Sequence, residues 1–240
     1  MARPRKSYAL WVCGVIFRTL IGAVILSIVL VLLWRIYFSG KLPDSMDALS
    51  PNAALAEAYA THGDELRLYT QTQSSITKGE DNYGYFAVPR FIFIPEANQL
   101  QVVFRYNNST LKAVAEDLQL AEVPARGVEI FDVSLILRSD LTPETTEDNT
   151  DDSPNVGSER LHPTSVSVDT TSLYTYFLYT FDNVTVAEET LVIYLDVYYG
   201  DAPDYTTRSL GQLRLYHHEA DCIEKDLTRA EKKALAAYKK

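Results

Sequence analysis

Cysteine is scarce in this chain: two in 240 residues, Cys13 and Cys222. Cys13 lies in an apolar N-terminal stretch, so residues 39–240 carry a single thiol and cannot form an internal disulfide. A small disulfide-stapled module is excluded, and the core must hold by burial alone. Acidic residues are missing from the first 38 positions; all 32 lie beyond them, against 17 of the 22 Lys and Arg, a net charge of −15 for residues 39–240. That charge excludes nucleic acid as a partner of the body and suits a solvated protein. The motifs G-x-G-x-x-G, Walker A, G-x-S-x-G and H-E-x-x-H are missing, as is any repeat of fixed length. The nucleotide, hydrolase and metalloprotease readings that rest on them go too.

One long apolar run is present. Residues 20–38, LIGAVILSIVLVLLWRIYF, contain one charge, Arg35, near the end. Nineteen residues at ~1.5 Å each reach roughly 28 Å, enough for a hydrocarbon core of about 30 Å. Trp34, Arg35 and Tyr37 suit the interface that follows. A cleaved signal would have a shorter apolar region and a nearby small-x-small site. The first such site, Ala54-Leu55-Ala56, lies well downstream. Residues 20–38 are therefore expected to be a retained transmembrane helix, with residues 1–19 a cytoplasmic tail and interfacial lead-in. Arg3, Arg5, Lys6 and Arg18 precede the span, whereas Arg35 and Lys41 follow it. The positive-inside rule then places the N-terminus in the cytoplasm and residues 39–240 outside, at the plasma membrane.

Beyond the span, residues 39–62 read as a polar stalk and a short helix, NAALAEAYA, with Ser50 as N-cap, Pro51 at its first position and Gly63 at its end. Eight segments rich in Val, Ile, Leu, Tyr, Phe or Thr follow between residues 65 and 217, separated by turn residues. In TLVIYLDVYY, Leu191, Ile193, Leu195 and Val197 alternate with Tyr194, Asp196 and Tyr198, one face for a core and one for water. Strands without intervening long helices predict a mainly β fold, an antiparallel β-sandwich over 63–218, with a β-barrel as the alternative. Residues 139–160 hold seven acids and almost no large apolar side chain, and read as a mobile loop. Residues 219–240 read as a C-terminal helix, with Thr228 and Glu231 as its capping box.

Catalytic signals are thin. Ser75-Ile76-Thr77-Lys78 fits S-x-x-K but stands in a polar turn, without the helix that the motif needs. An exported β domain on an N-terminal anchor, with Cys222, His162 and Arg229, resembles the sortase cysteine transpeptidases in outline. The T-L-x-T-C sequence of that family is missing, and the acidic neighbours in HHEADC oppose a thiolate. His217 and His218 alternate on a strand and cannot both hold one ion. No catalytic residue, metal site or cofactor is assigned.

Tyrosine is in excess, with fourteen after residue 38. Tyr174 and Tyr176 share one strand face, as do Tyr194 and Tyr198, and such rows suit a partner or a sugar ring. Lys232, Lys233, Lys239 and Lys240 make the last helix basic and suit an anionic polymer or headgroup. These eight residues are the candidate binding positions. The function expected is a non-enzymatic interaction or assembly module of the cell envelope, its partners the membrane through residues 20–38 and another envelope protein or anionic envelope polymer. The alternatives are the anchored sortase-like enzyme and an exported receptor for a small ligand or carbohydrate.

Overall fold

In a computed structural model of the chain, residues 6–70, 86–117, 119–139, 159–185, 191–199, 209–217 and 223–238 are described. They fall into two units, Met1–Pro43 and Asp44–Lys240. The first is one helix, α1 (Lys6–Gly40). Within it Trp11–Arg35 is long and apolar enough to cross a membrane, and none of its residues is buried. The apolar stretch thus begins earlier than the expected residue 20. Arg18 does not interrupt the helix, because one long cation leaves the backbone ladder intact. Thr19 and Ser27 donate their hydroxyls to Val15 O and Ala23 O one turn back, which satisfies them without water.

The second unit is mostly β. After α2 (Asp44–Asp47) and α3 (Ala53–His62) come β1 (Leu68–Thr70), β2 (Phe86–Ile94), β3 (Gln99–Asn107) and α4 (Leu111–Asp117). The chain continues through β4 (Phe131–Ser139), β5 (Glu159–Leu161), β6 (Ser165–Thr170), β7 (Tyr174–Asp182), β8 (Leu191–Tyr199), β9 (Ser209–His217), β10 (Ile223–Lys225) and α5 (Arg229–Tyr238). A large sheet has the order β10-β1-β2-β3-β7-β6 and a small one the order β5-β4-β8-β9. Every described pairing is antiparallel. Among the described residues each sheet has two open ends, so the arrangement is not a closed barrel.

The two sheets share one core. Phe86, Phe104, Tyr106, Phe177 and Tyr179 of the large sheet pack with Phe131, Val133, Leu135, Ile193 and Leu195 of the small one. The ring of Phe131 lies 5.7 Å from Phe86, 5.7 Å from Phe104 and 5.9 Å from Tyr106, so one side chain ties the sheets together. Pro89 falls where the β2–β3 register slips between Ala87 and Arg90, a bulge that absorbs its missing N–H. Beyond the bulge Arg90 stands opposite Val103 on the outer face.

The large sheet is buried on that outer face as well. Leu68, Ile92 and Ile94 pack there with Leu55 and Ala58 of α3 and with Leu227 and Leu235. Asn52, not Ser50, caps α3: its side chain accepts from Leu55 N at 2.9 Å, so Pro51 stands before the helix. Gly63 ends the helix with φ of 59°, a backbone region that glycine enters without strain. The expected helix over 219–240 is shorter. Ile223–Lys225 is strand β10, paired with Leu68–Thr70, and the capping box starts the helix only at Arg229. Glu231 accepts from Thr228 N at 2.8 Å while its own N–H donates to Thr228 Oγ1 at 3.3 Å. A cap at Thr228 is incompatible with helix before it.

Phe104 is fully buried and touches rings from both sheets. Phe104→Ala is expected to lower stability by about 3–5 kcal/mol, read from chemical denaturation of the full chain in detergent. A loss below about 1 kcal/mol would mean that the sheets do not depend on this contact.

Candidate functional site

Segment 44–52, part of the expected stalk, lies on the outer face of the large sheet. Met46 is 1% exposed and Leu49 is buried. Polar residues of the segment are bonded to the sheet in sequence. Ser45 donates to Asp169 of β6. Arg90 donates through Nη1 to Asp47, to its carboxylate at 2.9 Å and to its carbonyl, and through Nη2 to Ala48 O at 3.4 Å. Gln101 accepts from Ser50 N at 2.9 Å and donates to Ser50 O at 2.8 Å. Asn52 donates to Asp182 Oδ1 at 3.1 Å.

Asp182 is the hub of this layer. Gln99 donates to it at 2.7 Å, as does Thr164. Burial pushes its carboxyl up, but the hydrogen bonds from Thr164, Gln99 and Asn52 outweigh that and hold it below the usual carboxylate range. For Arg90 desolvation wins, lowering its pKa despite the Asp47 charge beside it. The arrangement positions chain segments against the sheet.

The predicted tyrosines divide. Tyr176 is 1% exposed, in contact range of Tyr174 at 6.0 Å between centroids, so it serves packing. Tyr174 is half-buried and carries Arg105 over its ring at 4.4 Å. Tyr194 and Tyr198 occupy β8 positions that alternate with the core residues Ile193, Leu195 and Val197, opposite Ile136 and Asp132 of β4. Their side chains lie outside the described residues. Between them Asp196 is buried and accepts from Arg160 at 2.7 Å, and Arg160 donates also to Ser134 at 2.8 Å. This ion pair is the polar centre of the small sheet's outer face; sequence reading missed it because β5 was not anticipated.

Of the lysines, Lys232 bonds Asp64 at 2.6 Å, which raises its pKa, and Lys233 is exposed. Lys239, Lys240, Cys222, Ser75–Lys78 and most of the acidic loop lie outside the described residues, so the structure does not bring Cys222, His162 and Arg229 together or apart. Among the described residues no three of His, Cys, Asp and Glu are placed to hold a metal ion. Tyr179 donates its hydroxyl to Glu129 at 2.8 Å, and burial, with the Glu129 charge, pushes the phenol well above its ordinary range. Asn108, an N-x-S/T position, is buried, with its amide donating to Thr171 O and accepting from Thr175 Oγ1, so it ties the β3 end to the β6–β7 hairpin. Comparison with protein-family models, curated proteins and solved structures gives no match to this chain.

Asp182→Asn is expected to cost about 1 kcal/mol near pH 7, discounted for partial exposure. Because the folded-state pKa is depressed, that stabilisation is present above the unfolded pKa of about 3.9 and is lost as pH falls through the folded value. The gap between the two proteins, read by denaturation at pH 7 and then below about pH 4, should narrow. An unchanged gap would remove the carboxylate from the account.

Proposed function

We propose that this chain is a single-pass membrane protein whose extracytoplasmic body, an antiparallel β-sandwich, acts by contact as an interaction or assembly module of the cell envelope. The observation that carries the reading is the bare apolar surface of Trp11–Arg35, joined to a body with a separate core. About 37 Å of helix suits a bilayer, where that surface is stable, and not water. The cationic flank formed by Arg3, Arg5, Lys6 and Arg18, set against an acid-rich remainder, supports a cytoplasmic N-terminus.

Contact rather than turnover is supported by the polar clusters. Arg160–Asp196 and Arg90–Asp47 are ion pairs and Asp182 gathers donors, so these charged groups have structural partners, with Arg90 Nε the one buried nitrogen among them left without a hydrogen bond. The aromatic rings occupy the space between the sheets, which disfavours a ligand chamber there. The surfaces proposed for contact are the small-sheet face bearing Tyr194 and Tyr198 and the exposed side of α5 with Lys233.

Sidedness is tested with Ser172→Cys, at an exposed turn, in a chain otherwise free of cysteine. A membrane-impermeant maleimide should label it in intact cells, and the chain should stay with membranes after an alkaline wash. Labelling only after lysis would reverse the topology, and release of the chain would remove the anchor. For the contact face, Tyr194→Ala with Tyr198→Ala should reduce crosslinked neighbours about tenfold while stability stays within about 0.5 kcal/mol. Unchanged capture would clear this face of the role.

A further inference from the structure

Among the described residues strand β6 closes one end of the large sheet, and Asp169, bonded to Ser45 on the outer face, is its one charged side chain. Its six residues, Ser165 to Thr170, pair with β7 in unbroken register, with no bulge, Pro or Lys in the strand. Val166 and Val168 alternate with the outward-facing Asp169 and so belong to the core-side face, yet they are 39% and 49% exposed. Among the described residues Gly127 approaches Thr170 at the end of this face, while Val166 and Val168 stay exposed.

The hydrogen-bond phase shows which backbone groups of β6 face away from β7. Thr171 N donates to Tyr174 O at 2.8 Å, which makes Thr171–Tyr174 a hydrogen-bonded pair. In an antiparallel ladder these alternate. Asp169 and Ser167 therefore turn their N–H and C=O toward β7, and Val166, Val168 and Thr170 turn theirs outward. The residues with outward backbone groups are also the ones with bare β-branched side chains.

We propose that β6 is a self-pairing edge: two copies of this chain add their β6 strands to each other, antiparallel and centred on Val168. In that register Val168 faces Val168 of the second copy and Val166 faces Thr170, β-branched against β-branched on one face. On the other face Ser167 meets Asp169, so a hydroxyl donates to a carboxylate and no two charges of one sign stand opposite. A shift that centres the pair on Asp169 sets two carboxylates opposite each other, and one that centres it on Ser167 replaces the Ser167–Asp169 match with Ser165–Asp169 and leaves Thr170 without a β-branched partner. A strand of about 20 Å makes a contact at or below the small end of specific interfaces. The body's charge of −15 opposes it, although screening limits this beyond about 8 Å. The pairing is therefore weak between free copies and is sustained where tethering in one membrane raises local concentration. It rests on the anchored reading for that strength alone, and its register is independent of sidedness.

The test uses the full-length chain in native membranes, with Cys13→Ser and Cys222→Ser, and one cysteine added at an exposed β6 position. Under mild oxidation Val168→Cys should give a covalent dimer. Val166→Cys should give at least roughly tenfold less, because its two copies would sit about 13 Å apart along the strands. Val166→Cys coexpressed with Thr170→Cys should restore the crosslink. Equal yields at all positions would mean random collision, and no dimer at Val168 would mean an unpaired edge; either overturns the proposal. Repeating the series in detergent at low protein concentration separates the two readings: dimers lost there but present in membranes point to tethering. Dimers with the correct register in both would keep the pairing even if the anchor fails.

Discussion

The large sheet has to be covered twice. Its central strands β2, β3 and β7 are buried on both faces, one against the small sheet and the other against segments from outside the sheets. An antiparallel sheet can leave one face in water only if that face is polar. Here Ile92, Ile94, Val103, Tyr176 and Leu178 make it apolar, so a cover is obligatory. The chain supplies it from its two ends: segment 44–62 from the N-terminal side and Leu227 with α5 from the C-terminal side. The residues from Asp44 onward are thus part of the folded body.

The part of that cover from Ser45 to Asn52 is held by polar chemistry more than by area. Between Ser45 and Asn52 only Met46 and Leu49 are large and apolar, so hydrophobic burial contributes a few kcal/mol at most. Specificity comes from the bonds that Arg90, Gln101 and Asp182 make to this segment. Gln99 and Gln101 are buried, and leaving either amide unbonded would cost more than a typical bond contributes. The strap therefore docks in one register, because a slip of one residue would orphan several buried groups together.

The same logic explains what the sequence discloses. Long strands with dense Val, Tyr and Phe were legible from composition, and the T-x-x-E cap and Gly63 from local chemistry, because these signals are local. Strands β5 and β10 have three residues each and exist only through their partners β4 and β1, so no periodicity announces them. Helix α4 was legible and passed over: Leu111, Val114 and Ala115 repeat at helical spacing behind Thr110. Segment 44–52 reads as solvent-exposed by composition, since a polar residue that bonds a sheet looks the same in sequence as one that bonds water.

The tyrosines expose the limit of strand alternation as a guide to function. Tyr174 and Tyr176 share a face, read as one for a partner or a sugar ring, opposite the face on which Phe177, Tyr179 and Phe181 take the core. The assumption fails when a sheet is covered on both sides, and Tyr176 is then an ordinary buried side chain. On the small sheet, Ser134, Ile136 and Asp196 occupy outer-face positions and are buried too. A buried Arg160–Asp196 pair roughly breaks even against desolvation, so its effect is to fix β5 against β8 in one register more than to add stability. Residues that face outward by register are therefore divided between cover and contact, and register alone does not say which is which.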